Sequence, residues 1–212
     1  MEWIWHTQSE QPGTFTSQAE YLWEMVITKY EGKTTFTVRG PETKATIADS
    51  PADAEFFGIV FKPGTFMPHL PLSKLKNRND LTLPEATNQS FWLLGSAWQI
   101  PTYDNVDTFI DRMVRNDLLV RDPIVDAVLQ GHQPDMSIRT VQRRFLHATG
   151  LTHKVIQQIE RAKQALTLLQ QGTPILDTVY ETGYFDQAHL TNALKRFVGQ
   201  TPAEIALTND ID

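Results

Sequence analysis

"RTVQRRFLHATGLT", residues 139–152, decides how this chain is read. Val141, Phe145 and Ala148 fall at i, i+4 and i+7, so a helix places them on one side. Arg139, Gln142 and Arg143 fall on the opposite side, and Gly150 is placed to end the helix. One reading is an amphipathic helix that packs, with its polar side in water. The other is a helix that packs on one side and presents arginine and glutamine, the side chains that pair bidentately with guanine and adenine edges.

A second stretch repeats the plan and favours the second reading. "FDQAHLTNALKRFVGQTP", residues 185–202, has a polar start, a helical apolar face of Leu190, Ala193, Leu194 and Phe197, a basic pair, and then Gly-x-Thr. Asp186 is expected to cap this helix, and a capped start is also where free backbone amides can meet a phosphate. A shorter helix, "ILDTVYETGYF" (175–185), precedes it with Gly183 at the break, which is the helix-turn-helix arrangement. Between the two units "HKVIQQIERAKQALTLLQQG" (153–172) carries an apolar stripe of Val155, Ile159, Ala162, Leu166 and Leu169, stopped by Gly172 and Pro174. A helix of about 19 residues spans roughly 28 Å, close to the roughly 34 Å between successive major-groove faces of B-DNA.

The charge distribution agrees. The chain has 212 residues and a net charge of −6. Residues 1–120 hold 10 Lys+Arg and 15 Asp+Glu, whereas residues 137–200 hold 8 Lys+Arg and 4 Asp+Glu. Phosphates feel only local charge, because screening confines surface fields to roughly 10 Å. The overall acidity therefore does not count against a nucleic-acid surface in the second half.

The first half changes period. "EMVITKY" (24–30) and "TTFTVRG" (34–40), separated by "EGK", predict a β-hairpin. "KATIAD" (44–49) and "AEFFGIVFKPG" (54–64) predict further strands, and short strands at close spacing suggest a small antiparallel barrel or sandwich. From "MPHLPLSKL" (67–75) to "FWLLGSAWQIPTYDN" (91–105), prolines and mixed composition predict loops and short helices. "VDTFIDRMVRNDLLV" (106–120) returns to helical spacing, and "RDPIVDAVLQG" starts a further helix with Asp122 as N-cap and Pro123 in its first turn. The expected fold class is α+β: a β-rich barrel-like domain over 1–105, a connector helix over 106–120, an all-α double helix-turn-helix region over 121–207, and a tail over 208–212.

Some function classes are excluded. Without cysteine there are no disulfides, thiolate metal sites or cysteine nucleophiles. Only His6 and His69 lie in the first half, far apart, so no metal centre or catalytic metal is expected there. No Gly-rich phosphate loop, nucleophile elbow or catalytic His–carboxylate spacing is present, so no enzyme and no cofactor are expected. No apolar run approaches the roughly 18 residues of a membrane span and the N-terminus is unlike a signal peptide, so a cytoplasmic protein without membrane contact is expected.

The run "SIRTVQRRF…G…IERAKQALTLLQQG…ILDTVYETGYFDQAHLTNALKRFVGQTP" resembles the twin helix-turn-helix domain of bacterial AraC/XylS-type transcription regulators, over about residues 121–207. "RGPETKA", "FFGIVFKPG" and "FWLLGSAWQIP" are more weakly similar to the cupin-like N-terminal domain of one branch of that family. The resemblance implies promoter DNA as partner, with RNA polymerase, a small-molecule effector and a second copy of the chain as further candidates. Two departures stand out. "VLQGHQPDMS" (128–137) places Gly131 and Pro134 where the family has a Leu-Ala pair, and Asn192 fills a slot usually held by Arg. Asn pairs with adenine where Arg pairs with guanine, so Asn192 implies an altered or weakened second half-site.

The recognition helices are expected at about 137–149 and 186–198. Arg139, Gln142, Arg143, Gln187, His189 and Asn192 are the candidate base readers. Arg144, Thr191, Lys195 and Arg196 are candidates for the DNA backbone, with an internal carboxylate as the alternative partner for Arg144. Trp23, Phe57, Phe61, Phe66, Trp92 and Trp98 either fill the β-rich core or line an apolar ligand site. The competing function is a ligand- or protein-binding module whose helix-turn-helix units no longer bind DNA.

Overall fold

The hairpin expected from residues 24–40 forms as its residues dictate. In the computed structural model, which describes residues 1–77, 80–87 and 89–209 with side chains through 207, strands β1 (Trp3–Ser9), β2 (Gly13–Ser17), β3 (Glu24–Tyr30) and β4 (Lys33–Arg39) come first. Tyr30 faces Lys33 across a two-residue turn. Glu31 and Gly32 both take positive φ, +49° and +73°, the primed turn whose twist matches paired strands. Then follow β5 (Thr46–Ser50), β6 (Ala54–Val60), β7 (Thr65–Phe66), α1 (Leu72–Leu75), β8 (Leu81–Thr82), β9 (Glu85–Thr87), β10 (Ser90–Leu93) and β11 (Ser96–Gln99). The main antiparallel sheet runs β1-β6-β3-β4-β8, with β11-β10-β9 as a second sheet. A β-rich region thus precedes a helical one. Among the described residues the ladders do not join into a closed ring.

The helical part comprises α2 (Val106–Arg115), the short strand β12 (Val120–Arg121), α3 (Pro123–Leu129), α4 (Ile138–Thr149), α5 (His153–Gln170), α6 (Ile175–Thr182), α7 (Gln187–Phe197) and α8 (Pro202–Asn209). The tail expected from 208 onward lies outside the described residues from 210.

Two expectations are corrected. The connector helix does not reach 120. It ends at Arg115, after which Asp117 takes positive φ and β12 pairs with β7. Nor is α2 a bare connector, because Phe109 packs edge-on against Phe36, Phe91 and Trp98. Of the segment 67–105, expected as loops and short helices, the first part holds the short helix α1, but 81–99 carries the short strands β8 to β11. The segment's prolines sit between strands, and Leu94–Gly95 make a second two-residue turn with φ of +49° and +78°.

The chain condenses into two compact units. One comprises Met1–Gly13, Tyr21–Pro41 and Asp49–His153; the other comprises Thr14–Glu20, Glu42–Ala48 and the chain from Lys154 onward. The core of the first is aromatic: Trp23 stacks on Phe61 at 4.1 Å and Phe36 on Phe91 at 4.2 Å. The core of the second gathers Ala165, Leu166 and Leu169 of α5 with Leu190 and Leu194 of α7, Tyr184 and Ile205. In this unit the β2–β5 ladder meets the end of α7. The amide of Ala19 donates to the Phe197 carbonyl and that of Ala45 to the Arg196 carbonyl, both at 2.7 Å. These carbonyls have no partner within the helix. Among the described residues no helix is long and apolar enough to cross a membrane, and no cluster of three or more metal-ligating side chains occurs.

Candidate nucleic-acid interface

In the first unit the Ser137 hydroxyl accepts the Thr140 amide, which fixes the start of α4. Gly150 ends it at φ +72°. A Cβ there would lie 2.9 Å from the backbone of Leu72 and Ser73, so the glycine both makes the turn and lets α1 come close. Phe145 and Ala148 are buried and Val141 is partly buried, while Arg139, Gln142 and Arg143 are exposed on the other side. Helix α3 is short, and Gly131 at φ +77° follows it.

Arg144 takes the internal carboxylate, the second of the two partners expected for it. Its guanidinium grips Asp122 with Nε at 2.9 Å and Nη2 at 2.7 Å. Asp122 also caps α3 by accepting the Ile124 amide. Burial pushes the Asp122 carboxyl up, but the Arg144 and Ile124 hydrogen bonds, with the charges of Arg144 and His147, outweigh it and hold it below its ordinary range. Arg144 thus ties α4 to the start of α3.

In the second unit Asp186 caps α7 by accepting the His189 amide at 2.7 Å, and Gly183 ends α6 at φ +69°. Leu190, Leu194 and Phe197 are buried, and Gln187, His189 and Asn192 are exposed near the start of the helix. The His189 ring meets the edge of Tyr184 at 5.0 Å, which limits its rotation. Lys195 and Arg196 are exposed, with the Arg196 guanidinium 4.8 Å from the Phe197 ring. Thr191 is partly buried, and its hydroxyl donates to the Gln187 carbonyl at 2.8 Å, which uses its donor locally. Tyr180 and Phe185 are almost fully exposed.

The aromatic residues named for a ligand site divide differently. Trp23, Phe57, Phe61, Phe66 and Trp98 are buried, whereas Trp92 is 47% exposed. The void beside Trp23 and Phe61 encloses about 10 Å³, at most room for one water. Arg112 covers the Trp98 ring at 4.5 Å. These five rings serve the core.

Residues 133–207 match the profile of a helix-turn-helix domain. This stretch is therefore a helix-turn-helix domain. No curated protein matches the chain. Two similar solved structures are of ToxT from Vibrio cholerae. One, from strain O395 and bound to (E)-4-(8-methylnaphthalen-1-yl)but-3-enoic acid, is 8% identical over 97% of each chain with a TM-score of 0.42. The other, of the P21 form, is 9% identical over 96% of each chain with a TM-score of 0.37.

Proposed function

We propose that this protein is a bacterial, cytoplasmic AraC/XylS-type transcription regulator that reads promoter DNA with α4 and α7 in adjacent major grooves. Arg139, Gln142 and Arg143 read one groove, and Gln187, His189 and Asn192 the other. Lys195 and Arg196 hold the backbone. Residues 121–207 form the reading domain, and the β-rich region ahead of α2 carries effector sensing or dimerisation. RNA polymerase is the downstream partner.

The observation that carries this reading is the pairing of firmly anchored helices with free polar faces. Both α4 and α7 have a side-chain cap and a buried apolar face, and both leave base-pairing side chain types exposed. Helix α5, with 18 residues, spans about 27 Å at about 1.5 Å per residue, the scale of groove spacing. Selection from a pool of randomised duplexes tests it. A consensus enriched by the wild type and lost in the Arg139→Ala/Arg143→Ala variant supports the reading. A folded wild type that enriches nothing at low salt refutes it.

A further inference from the structure

Helix α5 reads in the sequence as a spacer, but its polar face is organised. Lys154, Gln157, Gln158 and Arg161 fall at i, i+3, i+4 and i+7, a stripe on the side away from buried Ile156, Ile159 and Ala162. Across from it His189, Asn192 and Arg196 stand at i, i+3 and i+7 on α7. The two stripes are the walls of one groove enclosing about 720 Å³, with Tyr184 and Phe197 also lining it.

The charges of the groove have one sign. Lys154, Arg161 and Arg196 line it, and no Asp or Glu among the described residues does. Glu160, the single acid of α5, lies off the stripe and faces Lys163, which also bonds Glu20 at 2.7 Å. The Arg161 guanidinium lies 5.5 Å from the Tyr184 ring, a contact that orients the cation without neutralising it. A solvated helix face would mix signs, whereas this one gathers cations in a concavity shared with a candidate reading helix.

We infer that the Lys154–Arg161 face of α5 is a phosphate-binding wall, so that α5 grips the sugar-phosphate backbone of the duplex whose bases α7 reads. The inference rests on the DNA-reading function proposed above. Lys154 and Arg161 are seven residues apart, about 10.5 Å along the helix axis, so they meet different phosphates. Each releases its own counterion on binding. Gln157 and Gln158 supply hydrogen bonds between them.

The test is the salt dependence of binding, measured with the full chain on a selected duplex and on an unrelated duplex of equal length. Lys154→Gln and Arg161→Gln are each expected to reduce the slope of log K against log salt by about 0.9, and the double variant by about 1.8. The low-salt affinity should fall by the same factor on both duplexes, because backbone contacts carry no sequence information. Arg161→Lys should keep the wild-type slope, which separates lost charge from lost packing on Tyr184. Thermal melts of each variant confirm that it is folded. Wild-type slopes in folded Lys154→Gln and Arg161→Gln proteins would overturn this inference and leave the DNA-reading function standing. A wild type with no salt-dependent affinity for either duplex would overturn both.

Discussion

The backbone amide of Ala45 donates to the carbonyl of Arg196 at 2.7 Å, one residue before the end of α7. Ala19 does the same for Phe197. A candidate reading helix is thereby finished by two segments from the β-rich half of the sequence. The amides of Ala19 and Ala45 are expected to exchange with solvent as slowly as the core amides of α7. In a fragment starting at residue 121 the last turn of α7 should exchange faster than in the full chain. Rapid exchange at Ala19 and Ala45 in the intact protein, read by NMR, would contradict this.

Asp122 and Arg144 form the corresponding fastening in the first unit. Asp122→Ala removes an N-cap, about 1 kcal/mol, and the acceptor of a charged hydrogen bond, about 1.5–3 kcal/mol. Asp122→Asn keeps the cap and should lose less. The carboxyl sits below its ordinary value of 3.8 in the folded protein. Its stabilising contribution is therefore fully present above that value and is lost as pH falls through the lower folded one. Urea denaturation below pH 4 should show a weaker decline in stability for Asp122→Asn than for the wild type. Parallel declines would show that the pair contributes nothing.

Gly150 and Gly183 both end helices with positive φ, but their surroundings differ. Alanine at either position incurs the left-handed penalty, about 1–2 kcal/mol. At Gly150 the new Cβ also meets the Leu72 and Ser73 backbone at 2.9 Å, whereas at Gly183 nothing lies within 4 Å. Gly150→Ala should be the more destabilising of the two in chemical denaturation. Equal losses would mean that α1 and α4 do not pack this closely.

Leu190 and Asn192 separate holding from reading on one helix. Leu190 is fully buried in the second core and Asn192 is exposed. Leu190→Ala should destabilise by about 2–5 kcal/mol and lower affinity for every duplex alike. Asn192→Arg should leave stability unchanged and shift the preferred base in its half-site from adenine toward guanine, a discrimination of about 1–3 kcal/mol. An unchanged consensus for Asn192→Arg would place this residue outside the groove.

The helices were the legible part of this chain because their signals are local. Ser137, Asp186, Gly150 and Gly183 are boundary residues whose side chains, or lack of one, act within a few positions. The apolar stripes of α4, α5 and α7 repeat within a single turn. The β10–β11 hairpin was obscured by surrounding prolines and by Leu94, which occupies a positive-φ position without being glycine or asparagine. The α5 stripe was readable as the complement of the apolar one, but only the fold places it across a groove from α7. The bonds from Ala19 and Ala45 to α7 could not be read at all. They join main chain to main chain between segments distant in sequence, and backbone groups carry no residue code. For Arg144 the sequence offered two partners, and only the fold brings one of them, Asp122 at the start of α3, against it.

The most direct test of reading by two helices is a chemical footprint of the major groove on a duplex selected by the full-length protein. Two protected patches about one helical turn, roughly 34 Å, apart are expected. Arg139→Ala/Arg143→Ala should erase one patch, and Gln187→Ala/Asn192→Ala the other. A single patch erased by the first pair and untouched by the second, or no protection under conditions where the folded protein binds, would contradict two-groove reading.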